Sequence, residues 1–335
     1  MQHVFIQTNE ADANRVFAFV RDEDGRLSKP VVVETGGRGD GVAHLTSQGS
    51  VVLTSDGRRL LVANAGSDDI SVLSVAEKPE VVAVVASGGS APKSVAERGG
   101  LVYALNTGDG SLAGFRLSDD GLTELPGSRR ELGAGADPAQ VGFTPDGTCL
   151  VVTDRGLNAI LVFPMGQDGL LGEPRETASA GPTPYGFTFA GGGTLVVTEA
   201  FGAAKGKAAA SSYRVDGSGA DVVTSSVGNG RSEICWAVAS PDGRYVFMTN
   251  FGDGAVSTYS VSSGGELVLE NAVAAVGVEG RPGLRDEDLS GDGRFLYAID
   301  ADGGRIFGWR VEQGALVQAG AWNGLPETVA GLAAS

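Results

Sequence analysis

SPDGRYVFMTNFGDGAVSTYSV, residues 240–261, decides the reading of this chain. Pro241-Asp242-Gly243 is a tight-turn signal, because Asp and Gly accept the positive φ that a short hairpin turn requires. Tyr245 to Met248 form an apolar run closed by Asn250. Gly252 and Gly254 then break the chain before a second β-rich run reaches Val261. The same frame returns in SDGRRLLVANAGSDDISVLSV (55–75), PDGTCLVVTDRGLNAILVF (145–163), GGGTLVVTEAFG (191–202) and GDGRFLYAIDADGGRIFGWRV (291–311). A degenerate copy is ERGGLVYALNTGDGSLAGFRL (97–117). The turn recurs about every 42 to 51 residues, the length of a four-stranded propeller blade. The chain is therefore an internal repeat rather than two domains.

The chain ends complete the count. Residues 4–35 hold the second, third and fourth strands of a repeat with no first strand before them, and TVAGLAAS (328–335) resembles the missing one. The expected fold is all-β: a seven-bladed β-propeller of four-stranded antiparallel blades, with the C-terminal strand pairing with the N-terminal strands to close the ring. A single domain, 1–335, is expected, with blade 1 from 328–335 plus 4–35. Blades 2 to 7 are expected near 49–89, 92–132, 138–179, 184–227, 233–277 and 285–326. Such closure removes two exposed sheet edges that would otherwise invite aggregation.

Composition narrows function by exclusion. The chain has 335 residues and 53 glycines, and Val, Thr, Tyr and Phe crowd into short runs, as in a β-protein. A net charge of −16 with no Lys/Arg-rich stretch argues against nucleic acid and anionic membranes as partners. No apolar window is long enough to span a bilayer, and MQHVFIQTNEADANRVFAF lacks a signal peptide's basic start and apolar middle. A cytoplasmic location and a monomer or weak homo-oligomer are expected. Cys149 and Cys235 are far apart, and His3 and His44 are the sole histidines, so no zinc cluster is expected. The sequence carries no nucleophile elbow, phosphate loop or dinucleotide fingerprint, and no cofactor or metal is assigned.

The pattern S-P-D-G-R-Y-V-x-x-T-N at 240–250, the Asp-Gly-Leu after third strands (120–122 and 168–170) and the terminal closure resemble the seven-bladed lactonase family. That family includes bacterial 6-phosphogluconolactonases and carboxymuconate-cyclising enzymes. The resemblance covers essentially the whole chain. It implies a small-molecule site at the mouth where loops entering the innermost strands meet the loops joining second strands to third. Glu199 stands where the other repeats carry Asn or Asp, and where the family tends to carry a glutamate, so the resemblance marks it as general acid or base. His44 is the histidine placed nearest that mouth, and is taken with Glu199 as catalytic.

Substrate contacts are expected from Tyr185, Trp236, Arg155, Asn250, Arg285, Asp286, Gln140 and Lys205. Lys205 lies in FGAAKGKAAASS, a connection suited to a flap. Asp286 and Asp288 lie two apart on one face of a strand, where they would raise a pKa, bind a cation or join a network stitching the seventh blade to its neighbours. The chain departs from the family where an Arg-His pair is usual. Pro184-Tyr185 stands there instead, Cys235-Trp236-Ala237 replaces Ala-Glu-Ile, and Phe251 replaces a basic residue. Convergent basic groups for a phosphate are therefore reduced. The expected activity is lactonase-like, hydrolysis or the related cyclisation or isomerisation of a small, non-phosphorylated lactone or related carbonyl compound. The alternative is a non-catalytic propeller binding a small molecule or protein.

Overall fold

The protein, a computed structural model, is described at residues 2–42, 45, 47–76, 78–278 and 280–335. Seven antiparallel sheets circle a common axis. In chain order from the closing sheet, their innermost strands are Val329–Ala334, Val51–Leu53, Pro92–Arg98, Pro138–Phe143, Pro184–Phe189, Ile234–Ala239 and Leu284–Leu289. Each is followed outward by a second, third and fourth strand. In blade 3 the outermost position is shared by Gly121–Glu124 and Arg130–Glu131, both paired with Ser111–Ser118. The helices among the described residues are three-residue 3-10 turns, none of which is long and apolar enough to cross a membrane.

Strand alternation explains why the blades stack. Successive side chains of a strand point to opposite faces of its sheet, and here both faces meet a neighbouring blade. In Gln2–Thr8, Val4 and Ile6 pack with Phe295 and Tyr297 of blade 7, whereas Phe5 between them packs with Val51 and Leu60 of blade 2. The same division gives an apolar seam at every blade boundary, for example Val102 against Leu61 and Phe247 against Leu296. Second strands therefore read as continuous apolar runs such as LVYAL and YVFM. Burial of each such side chain contributes roughly 1.5–3 kcal/mol, so the seams dominate stability.

The last seam depends on the C-terminus. Ala334, Ala333, Leu332 and Gly331 pair with Val4, Phe5, Ile6 and Gln7, and the Ser335 N–H donates to the His3 carbonyl at 2.9 Å. Blade 7 adds carboxylates. Asp286 and Asp288 share the strand face turned to blade 1: Asp288 Oδ2 accepts the Ala334 N–H at 2.9 Å, and Asp286 lies beside the Leu332 backbone with its Oδ1 accepting the Glu287 N–H at 3.0 Å. Glu287 points the other way and accepts the Thr249 N–H of blade 6 at 3.0 Å. Burial pushes the Asp288 carboxyl up to about 7, and burial followed by repulsion from Asp288 raises Asp286. Glu287 is raised by burial first.

Two outcomes follow. Removal of residues 329–335 strips the closing strand and is expected to lower the calorimetric melting temperature by on the order of 10 °C or more; an unchanged melting temperature contradicts closure. For Asp288, the folded-state pKa of about 7 lies above the ordinary aspartate value of 3.8, so the folded state binds more protons between them, and stability falls as pH rises through that window. Asp288→Asn should therefore gain in melting temperature relative to wild type between pH 4 and pH 7, with the difference flat above. Taking the difference removes the opposite contribution of His3, whose pKa is lowered by burial. A difference that shrinks with rising pH reverses the assignment.

Candidate functional site

The two ends of the central channel are unlike. At the end where innermost strands begin, the segment before Val51–Leu53 crosses the axis. Ser47 Oγ donates to the Ala139 carbonyl of blade 4 at 2.6 Å, and Trp236 Nε1 of blade 6 donates to the Ser47 carbonyl at 3.1 Å. The Gln48 amide pairs with the backbone of Ala237, donating at 2.8 Å and accepting at 3.1 Å, and its carbonyl accepts Ser94 Oγ of blade 3 at 2.6 Å. Gly186 is required here, since a Cβ would strike both Gln48 Oε1 and the Cys235 carbonyl. Innermost strands accordingly start buried and finish half-buried, as in Pro184–Phe189 and Ile234–Ala239. The remaining channel opens toward the Asp-Gly turns.

Above the plug, β-bulges shape the mouth. The ladder between the first and second strands skips a residue or two at Lys93, Ala139, Tyr185-Gly186, Cys235 and Arg285-Asp286. A bulge re-aims the extra residue, and such irregularities favour sites over frameworks. Tyr185 is 4% exposed, edge-on to Trp236 at 5.7 Å between ring centroids, and its phenol oxygen is buried with no partner among the described residues. The Arg155 guanidinium lies 5.0 Å from the Tyr185 ring centroid and is paired with Asp137 at 2.6 Å. Arg285 lies 5.0 Å from the Phe251 centroid and is paired with Asp302 at 3.1 Å.

A carboxylate absent from the sequence expectations completes the mouth. Glu233 precedes the innermost strand of blade 6, and the Phe251 N–H donates to its carbonyl at 2.9 Å. Its half-buried side chain has no hydrogen-bond partner among the described residues, and its pKa is raised by burial and then by Asp253. It lines a groove of about 430 Å³ with Lys205, Ser232 and Asp253. Glu233 holds φ of 56°, and Thr183, Phe201 and Ala203 in neighbouring loops hold 61°, 51° and 64°. Left-handed non-glycine residues are strained, and such strain collects at functional sites. The sequence did carry a signal: Glu233-Ile234 is a Glu-Ile pair opening blade 6, three residues ahead of the Trp236-Ala237 position compared with the family.

The other expected residues divide by place. Tyr185, Trp236, Arg155 and Arg285 meet at the plugged mouth, and Lys205 lies on its groove. Gln140 and Asp286 line the channel on the other side of the plug, where Gln140 spends its amide on the Phe187 backbone at 3.1 and 2.6 Å. Glu199 and Asn250 are fully buried inside their blades. The Glu199 carboxylate accepts from Ser211 Oγ, from Ser226 Oγ at 2.6 Å and from the Gly181 N–H at 2.9 Å. Its pKa is raised by burial. Asn250 donates to Ser257 Oγ at 2.9 Å and accepts from Asn229 at 2.8 Å. Asp154 similarly accepts the Asp137 N–H at 3.0 Å, so these strand-ending residues clasp the connection arriving from the previous blade. His44 lies outside the described residues. Cys235 is buried with its pKa pushed up by burial, which keeps it a thiol rather than a nucleophilic thiolate. No group of three or more His, Cys, Asp or Glu side chains among the described residues is placed to hold a metal ion.

A family model described as "Lactonase, 7-bladed beta-propeller" matches residues 3–125 and 197–327. No curated protein matches the chain. Among solved structures, the chain is similar to a putative 6-phosphogluconolactonase from Bacteroides fragilis (TM-score 0.77, 18% identity, 100% of this chain and 98% of the other). It is also similar to a protein from Lactobacillus plantarum (0.78, 17%, 100% of both chains). A third is the periplasmic gluconolactonase of Pseudomonas aeruginosa (0.75, 17%, 99% of this chain and 98% of the other). At these identities the likeness is one of fold.

Proposed function

The chain belongs to the seven-bladed β-propeller lactonase family, and from that premise we propose that it hydrolyses a small, non-phosphorylated lactone at the plugged mouth, with Glu233 as the proton-transfer group. The observation that carries this is the half-buried, unpartnered Glu233 carboxyl, raised in pKa and open to the groove. A carboxylate lifted toward neutrality is better matched to general-base work than an ordinary surface glutamate. Glu199 suits the role less, because both its oxygens are already engaged by donors within blade 5.

In the proposed reaction Glu233 takes a proton from water as the oxygen attacks the lactone carbonyl carbon. Charge collects on the carbonyl oxygen, where Arg155 or Arg285 supplies guanidinium donors. The intermediate collapses by breaking the ring C–O bond, and the leaving alkoxide takes the proton back from Glu233. A hydroxy acid results and the carboxylate is regenerated. Asp137 and Asp302 already pair with the two arginines, so the guanidinium forks that would grip a phosphate are engaged and Lys205 on the groove offers a single point charge. Tyr185 and Phe251 give the arginines apolar faces and the substrate an apolar floor.

The test is a panel of glucono-1,5-lactone, its 6-phosphate and dihydrocoumarin. Glu233→Gln is expected to lower kcat by about 10²–10³-fold with little change in KM. Glu199→Gln should lower the melting temperature while keeping kcat within about threefold at a temperature where it is folded. Full activity in Glu233→Gln removes the assignment, and hydrolysis of no lactone favours a binding propeller instead.

A further inference from the structure

We propose that the open half of the channel is a second binding site, for a small organic cation whose ammonium group is held by Asp286 and Asp288 and whose hydrocarbon part lies against Phe143 and Phe189. This site is separated from the lactone groove by the Ser47–Gln48 plug and does not rest on the hydrolytic reading. The cavity measures about 450 Å³ and takes its walls from the innermost strands of all seven blades. Among the described residues its lining contains three carboxyl groups, Asp286, Glu287 and Asp288, and no lysine, arginine or histidine.

The chemistry of the unsatisfied groups selects the ligand. Asp286 and Glu287 are each 2% exposed, and Asp286 Oδ2 and Glu287 Oε2 are buried without a hydrogen-bond partner among the described residues. A buried carboxylate oxygen left without a donor costs roughly 1–3 kcal/mol or more, so the wall has strong demand for N–H or O–H donors. The lining amides do not meet it, because Gln48 is spent on the Ala237 backbone of blade 6 across the axis and Gln140 on the Phe187 backbone of the neighbouring blade 5. A ligand must therefore bring donors, and positive charge relieves the repulsion that helps raise Asp286.

A hard divalent ion suits this wall poorly. Such an ion needs six or more oxygens, whereas strand alternation turns Glu287 away from Asp286 and Asp288. Phe143 and Phe189 line the cavity beyond the acids, and Phe187 meets Phe189 edge-on at 5.9 Å. Aromatic faces attract ammonium groups and exclude water from hydrocarbon.

The probe is benzylammonium, titrated calorimetrically into the full chain beside benzyl alcohol and calcium chloride. Benzylammonium is expected to bind with a Kd in the high-micromolar to low-millimolar range, at least about tenfold more tightly than benzyl alcohol. Asp286→Asn should weaken it by about tenfold or more while glucono-1,5-lactone turnover is unchanged. Should that variant fail to fold, Leu53→Lys, at a half-buried position of the lining, is expected to abolish binding by placing a fixed cation in the cavity. Equal affinity for benzyl alcohol, calcium binding in place of the amine, or undiminished binding in the folded variants would each overturn the proposal.

Discussion

Closure of the last apolar seam is the constraint on which everything else in this molecule rests. Every blade buries both faces, so a blade without a neighbour leaves a full apolar face in water. Six seams form between blades that follow one another in sequence, and the seventh forms only when Val329–Ala334 reaches Gln2–Thr8. That pairing joins residues more than three hundred positions apart, and its loop-closure entropy must be met by the contacts it makes. Asp288 of blade 7 contributes there by accepting the Ala334 N–H of the closing strand, at the expense of its own desolvation. Acids in a propeller's innermost strand are thus legible as parts of the framework before any other role is assigned.

The channel is divided because blade 2 begins with a crossing segment rather than a strand. Ser47 and Gln48 reach blades 4 and 6 with side chains, and Trp236 reaches back. A plug of hydrogen bonds to backbone groups is more directional than a plug of apolar side chains, and it fixes the inner ends of the strands that carry Tyr185 and Cys235. The bulges sit at those inner ends, so residues displaced from the ladder are held by the plug beneath them. The result is a mouth with a rigid floor and loops in strained backbone conformations above it.

The blade frame was legible because hairpin turns and apolar runs are local signals that repeat: the Asp-Gly turns at 56, 146, 242 and 292 set the phase, and the tail TVAGLAAS supplied the missing strand. The mouth was legible only in part. Tyr185, Trp236, Arg155 and Arg285 converge as expected from their positions relative to the turns. Turn spacing alone assigns Gln140 and Asp286 to the same mouth, but the plug puts them in the other half of the channel. Glu199 stood out as the one glutamate among Asn and Asp, yet its length lets it reach Ser226 on the fourth strand, and so it is buried. Glu233 escaped notice because its role depends on a left-handed backbone and on Asp253 across a loop, neither of which leaves a periodic mark. The family match is interrupted over residues 126–196, the stretch that contains Pro184-Tyr185, so the part of the chain that departs most from its family is also part of the mouth.

Charge distribution gives the two ends different partners. The chain carries −16 overall, but at about 0.15 M ionic strength a charge is screened beyond roughly 8 Å, so local groups decide binding while net charge acts on approach and departure. At the plugged mouth two guanidiniums lie beside aromatic rings, each half-neutralised by one aspartate. In the proposed reaction such a site would admit a neutral ester and stabilise a transient oxyanion, and the surrounding negative field would hasten the exit of an anionic product. At the open end the wall carries three carboxyl groups and, among the described residues, no basic group in its lining, so the net negative field favours the approach of a cation there. Under the two proposals, a neutral molecule that becomes an anion and a cation that stays one are sorted to opposite ends of one channel by the same overall charge.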